Sequence, residues 1–232
     1  RLIRRQRQMC IRDSHDGTPD ATGWNKLQDE VLTAVREQDP ERIVFIPAMG
    51  WQDYNYIKYA RVAGEDSNAV VSFHYYLPML LSHYKMLAWV GYQGAVQYPG
   101  VVIPTQSDAD KYPQYASFHK TTYNADRIMG EMSNAASDGR NAGLAVHCGE
   151  FGCSKNVAEA MRLAWFTDMV AAMEANNIPW TLWECLDGGF GFVDMEYGIY
   201  RINCPLMKVL TGKELTDAEA KALLQKYGFK TE

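Results

Sequence analysis

The feature that most constrains this chain is an alternation repeated four times: apolar residues at helical spacing, followed by a short apolar run rich in branched side chains. Trp24, Leu27, Val31 and Val35 mark the first helical pattern, and Pro40 ends it, because proline disfavours helix in the residue before it. The run RIVFIPA, Arg42 to Ala48, predicts a strand buried on both faces. A helix near residues 53–62 leads to a second strand, AVVSFHYY, Ala69 to Tyr76. After a long loop, a helix near residues 118–136 precedes the strand Gly143 to Gly149. The next helix takes Ser154 as N-cap and carries Val157, Met161, Trp165, Met169 and Met173 along one face, before the strand PWTLWEC, Pro179 to Cys185. Thr216 and Glu219 have the spacing of a capping box that opens a last helix, and Gly228 closes it.

Strands that alternate with helices build a parallel α/β sheet, either doubly wound or closed into a barrel. The polar residues favour the barrel. His74 and Tyr76, Glu150, and Trp183 with Glu184 all fall at or just past the C-terminal ends of their strands, the rim on which barrel enzymes build their sites. No glycine-rich phosphate fingerprint follows any strand, so the dinucleotide-binding fold lacks its usual sign. A closed barrel needs eight strands and four are found. The expected fold is therefore the second half of a (β/α)8 TIM barrel, strands five to eight, incomplete as it stands. Its outer strands, beginning at Arg42 and ending at Cys185, should present open edges that favour association.

Composition narrows the partners. A net charge of −5 leaves no basic stripe for phosphate backbones, so nucleic acid is not an expected partner. No apolar run approaches the roughly 18 residues of a membrane helix. Residues 1–14 hold five arginines and one aspartate, +4, so the remainder of a chain totalling −5 carries −9. That shift reads as a non-native arm, with residues 15–232 forming one domain. Five cysteines, an odd number, imply no disulfide framework, although Cys148 and Cys153 could pair if their geometry allowed. His147, Cys148, Glu150 and Cys153 offer metal-ligand types, but adjacent strand residues point to opposite faces, so neither metal nor other cofactor is expected.

The strand ends carry a more specific pattern. FHYY (His74, Tyr76), GEFG (Glu150) and LWE (Trp183), in that order and spacing, followed by GGFGFVD and CPLMKVLTG, resemble the C-terminal half of a glycoside hydrolase family 5 cellulase over residues 17–212. In that family a His-x-Tyr closes strand six, a Glu closes strand seven and a Trp closes strand eight. The resemblance implies that Glu150 is the nucleophile of a retaining endo-β-1,4-glucanase acting on polysaccharide or oligosaccharide. It places Tyr76 and His74 as groups that orient the carboxylate and the substrate, and Trp183 as a sugar platform. Chemically, retention requires a carboxylate that attacks the anomeric carbon and a second carboxyl group about 5–5.5 Å away that protonates the leaving oxygen. Flat aromatic faces suit pyranose C–H surfaces. Trp51, just past the first strand, and His83, Tyr84 and Trp89, in the long loop 77–117, are further candidates for binding sugar.

One element of the pattern is missing. The family's acid/base belongs to an Asn-Glu pair ending strand four, and no such pair occurs in these 232 residues. Asp13, His15 and Asp16 do not match it. The 232-residue chain is therefore expected to lack its proton donor, to hydrolyse β-glucan poorly by itself, and to have the N-terminal half of its own barrel as a partner. Secretion is expected from the family, since the polymer cannot enter a cell. Alternatives are a β-mannanase or other β-glycanase of the same family, or a non-catalytic carbohydrate-binding half-barrel.

Overall fold

A computed structural model describes residues 21–64, 66–86, 91–186 and 189–232. The expected arm, residues 1–14, and the candidate Trp89 lie outside the described residues. Four strands form one sheet in the order β1-β2-β5-β6: β1 Val44–Pro47, β2 Ala69–Tyr75, β5 Ala145–Phe151 and β6 Trp180–Leu182. β1 and β2 pair in parallel, Val44 opposite Ala69. β5 and β6 also run in parallel, since Cys148 N–H donates to Pro179 O and Trp183 N–H to Phe151 O. The alternation of periods in the sequence is thus realised as a parallel α/β sheet. By backbone proximity the chain divides into two compact units.

The first unit contains residues 21–75, 133–149 and 177–180. Helix α1, Ala21–Gln38, is longer than its apolar pattern and rotated from it. Gln28 and Leu32 are its buried residues, whereas Val31 is 41% exposed. The rotation has a polar cause: Trp24 Nε1 and Gln28 Nε2 both donate to Pro47 O, at 3.0 and 2.6 Å, so the helix is docked on the C-terminal end of β1 through a carbonyl. β1 departs from the expectation of burial on both faces. Ile46 is buried, but Phe45 is 54% exposed, because β1 is an outer strand of the sheet. The expected helix over 53–62 is instead a 3-10 turn, Tyr54–Tyr59, started by Asp53, whose side chain accepts from Asn55 N–H. Its run of aromatic residues has low helix propensity and no long apolar stripe to bury.

The second unit contains residues 76–132, 150–176 and 181–232. After a short helix α2, Gln106–Lys111, a 3-10 segment, Pro113–Lys120, a two-stranded ladder of β3 Gly100–Val101 with β4 Thr122–Tyr123, and the start of α3, Ala125–Ala142, replace the helix expected over 118–136. Asn124 accepts from Arg127 N–H at 3.1 Å and caps α3, a short-range signal the periodicity obscured. Helix α4, Glu159–Ala175, begins five residues after Ser154, with Ala158 as its N-cap. Trp165, Met169 and Met173 are fully buried on it, as the stripe predicted, and the Trp165 ring packs against Phe151 at the end of β5. A hairpin of β7 Val193–Glu196 and β8 Ile199–Ile202 follows, turning through Tyr197 and Gly198 at positive φ. Helix α5, Cys204–Thr211, ends on Gly212, and α6, Asp217–Lys226, opens with the Thr216–Glu219 capping box and is followed by Gly228 at φ 81°.

Candidate active site

The segment HCGEFG owes its two flanking glycines to close approach. A Cβ on Gly149 would stand 2.4 Å from Ser72 Oγ, and one on Gly152 would stand 2.2 Å from Trp183 O, a backbone atom. Only glycine lets β5 lie so tightly against its neighbours. The residues between them are held accordingly: Phe151 is fully buried, and the Trp183 N–H donates to Phe151 O at 2.9 Å. Glu150 emerges at this C-terminal end of β5, half-buried, and receives a hydrogen bond from the Tyr76 hydroxyl to Oε2 at 2.9 Å. A phenol donating to a carboxylate fixes its rotation.

Behind Tyr76 stands an aromatic wall. Its ring centroid lies 4.9 Å from that of His83 and 5.8 Å from that of Phe190, and the His83 and Phe190 centroids are 5.1 Å apart with nearly perpendicular planes. Burial among these rings lowers the pKa of His83 below its ordinary 6.5, so the imidazole is neutral at physiological pH. Ser82, fully buried next to it, donates to Tyr76 O at 2.5 Å.

The wall is fixed from beneath by a buried cation. Arg162, 5% exposed on α4, donates from Nε to Cys153 O at 2.8 Å and from Nη2 to Phe190 O and Gly191 O at 2.5 and 2.8 Å. One guanidinium thus ties the segment after Glu150 to the segment that carries Phe190. Burial lowers its pKa, and burial pushes the Cys153 thiol up to about 12. Ser154, expected as a helix cap, instead donates to Tyr84 O at 3.0 Å and accepts from Asn156 N–H at 3.1 Å. Ser154 therefore anchors the long loop rather than a helix.

Of the residues the sequence singled out, Glu150, Tyr76, His83 and Trp183 all belong to the second unit, and Tyr76 touches both Glu150 and His83. Trp183 is 44% exposed, and its peptide bond to Glu184 is cis. His74 belongs to the first unit, half-buried in β2, where it forms a parallel bridge with Asp53. Trp51 is also in the first unit, 87% exposed, within a turn where Gly50, Trp51 and Gln52 all have positive φ. Cys148 and Cys153 are both buried free thiols, so the pairing their spacing allowed does not form. Among the described residues no group of three or more His, Cys, Asp or Glu side chains could hold a metal ion. No helix among them is long and apolar enough to cross a membrane. No sequence pattern marks Ser82 or Arg162, whose roles consist of donating to main-chain carbonyls.

The model of the family described as cellulase (glycosyl hydrolase family 5) matches residues 12–189. Endoglucanase C of Acetivibrio thermocellus is 25% identical over 190 residues, which cover 78% of this chain and 52% of that protein. Endoglucanase H of the same organism is 25% identical over 174 residues, 75% of this chain and 16% of its own length. Among solved structures, a hyperthermophilic endo-β-1,4-glucanase in complex with substrate superposes with a TM-score of 0.64 at 24% identity, covering 83% of this chain and 55% of that one. Endoglucanase Cel5A of Thermotoga maritima superposes with a TM-score of 0.61 at 20% identity, covering 82% and 54%. The chain spans about half the length of these endoglucanases, apart from Endoglucanase H, and its parallel sheet is part of their barrel fold.

Proposed function

Since the chain belongs to glycosyl hydrolase family 5, we propose that it carries the nucleophile half of a retaining endo-β-1,4-glucanase site, with Glu150 as the nucleophile. The observation that supports this most directly is the hydrogen bond from Tyr76 to Glu150 at 2.9 Å, at the C-terminal end of a parallel strand. In this reading Oε of Glu150 forms an ester bond to the anomeric carbon as the leaving-group oxygen departs, and water later cleaves that ester. Tyr76 orients the carboxylate. Trp183, 44% exposed, offers its face to a pyranose ring.

The proton donor is not assigned to this chain. The sequence contains no Asn-Glu pair, so we place the acid/base on a carboxyl outside these 232 residues and expect the polypeptide alone to bind β-glucan but hydrolyse it slowly. A barrel segment that supplies that carboxyl is the partner this reading requires. Because a glucan polymer does not enter cells, we place the work of the enzyme outside the cell.

An activated fluorosugar tests the assignment without needing the missing acid. A 2,4-dinitrophenyl 2-deoxy-2-fluoro-cellobioside has a leaving group that departs without protonation, and its glycosyl ester is slow to hydrolyse. Mass spectrometry should find one adduct, on the peptide containing Glu150, and none on Glu150→Gln. Labelling of a different carboxylate, or none at all, refutes the nucleophile assignment.

A further inference from the structure

The proton inventory around Ser82 determines the state of the imidazole beside it. The Ser82 hydroxyl has one proton, and its neighbour at 2.5 Å, Tyr76 O, can only accept, so that proton is committed to the carbonyl. His83 Nδ1 lies 3.0 Å from the same Oγ. Two lone pairs cannot share that contact, so Nδ1 carries a hydrogen and donates it to the hydroxyl. In a neutral imidazole this leaves a lone pair on Nε2. Nε2 makes no hydrogen bond to a described residue, and the His83 side chain is only half-buried. The ring is wedged between Tyr76 and Phe190 at 4.9 and 5.1 Å, and Tyr76 in turn contacts Glu150. The available nitrogen therefore sits one aromatic ring away from the proposed nucleophile, in a position fixed by packing.

We propose that His83 is a substrate-binding residue that accepts a hydrogen bond from a sugar hydroxyl through Nε2, in the subsite beside Glu150. An uncharged acceptor-only nitrogen selects an O–H donor over an anion, and it does so without the desolvation cost of a charged group. Nδ1, anchored on Ser82, fixes both the tautomer and the ring plane, so little rotamer entropy is lost when the hydroxyl binds. The proposal rests on the glycan reading of this site and adds to it a specific contact and a specific protonation state.

The two can be tested separately on the full chain. Long-range 1H–15N NMR of the unmodified protein should show His83 protonated at Nδ1 and bare at Nε2, and the Nε2 resonance should move on titration with cellotetraose. His83→Asn keeps a donor near Ser82 but has no atom at the Nε2 position, and should weaken cellotetraose binding about five- to tenfold. His83→Gln places an amide oxygen near that position and should recover part of the loss. A His83 ring protonated at Nε2, or a His83→Asn variant that binds as tightly as the parent, overturns this proposal and leaves the glycan reading intact. A parent chain that does not bind cellotetraose overturns both.

Discussion

Replacing Arg162 by methionine should be among the most damaging single changes in the second unit. The guanidinium is 5% exposed and satisfies three main-chain carbonyls, those of Cys153, Phe190 and Gly191, at 2.5 to 2.8 Å. It also lies 5.4 Å from the Phe166 ring centroid. Methionine can fill the space of the aliphatic stem, but it donates to none of the three oxygens. Each stranded buried acceptor costs about 1–3 kcal/mol. Part of that is offset because a buried cation no longer has to be desolvated, which leaves a net loss of roughly 3–5 kcal/mol. For a chain of this size about 1 kcal/mol lowers Tm by roughly 2–4 °C, so the melting temperature should fall by about 6–20 °C. Thermal unfolding followed by near-ultraviolet circular dichroism would measure it, since Trp165, Phe166 and Phe190 lie around the cation. Arg162→Lys restores the charge but not the fork, and should recover only part of the loss. A Tm for Arg162→Met within about 2 °C of the parent would refute the reasoning.

Other perturbations probe other parts of the argument. Tyr76→Phe removes the donor to Glu150 and should slow fluorosugar labelling by about 10- to 100-fold with the circular dichroism spectrum unchanged, as expected for a hydrogen bond to a charged group. Gly152→Ala places a methyl 2.2 Å from Trp183 O, which cannot yield without moving the backbone, and should lower stability by about 1–3 kcal/mol in urea titrations. Asp66 is held below the ordinary aspartate pKa of 3.8, chiefly by its hydrogen bond from Arg36. Its contribution is present above that value and is lost as pH falls through the lowered pKa, so Asp66→Asn should flatten the acid limb of a stability–pH profile below about pH 4. Iodoacetamide should leave Cys153 unmodified in native protein at pH 8, because it is buried and its thiol pKa is pushed up to about 12.

The amino-acid sequence by itself determined the alternation of helix and strand along the parallel sheet and the residue types at the strand ends. Local rules sufficed there. Pleat and helix repeats place Trp165, Met169 and Met173 in a core, Thr216 and Glu219 at a helix start, and Tyr76 and Glu150 at the tips of parallel strands. What only the tertiary structure decided were contacts between segments distant along the chain. The carbonyl of Pro47 draws Trp24 and Gln28 toward it and turns α1 away from its apolar stripe. Tyr84 O takes the Ser154 hydroxyl away from capping a helix. Ser82 and Arg162 act on backbone oxygens, which every residue possesses, so no pattern of side chains in the sequence could announce them. The physical reason is that periodicity is set by the geometry of one segment, whereas a hydrogen bond across about 70 residues exists only once folding has brought its donor and acceptor together.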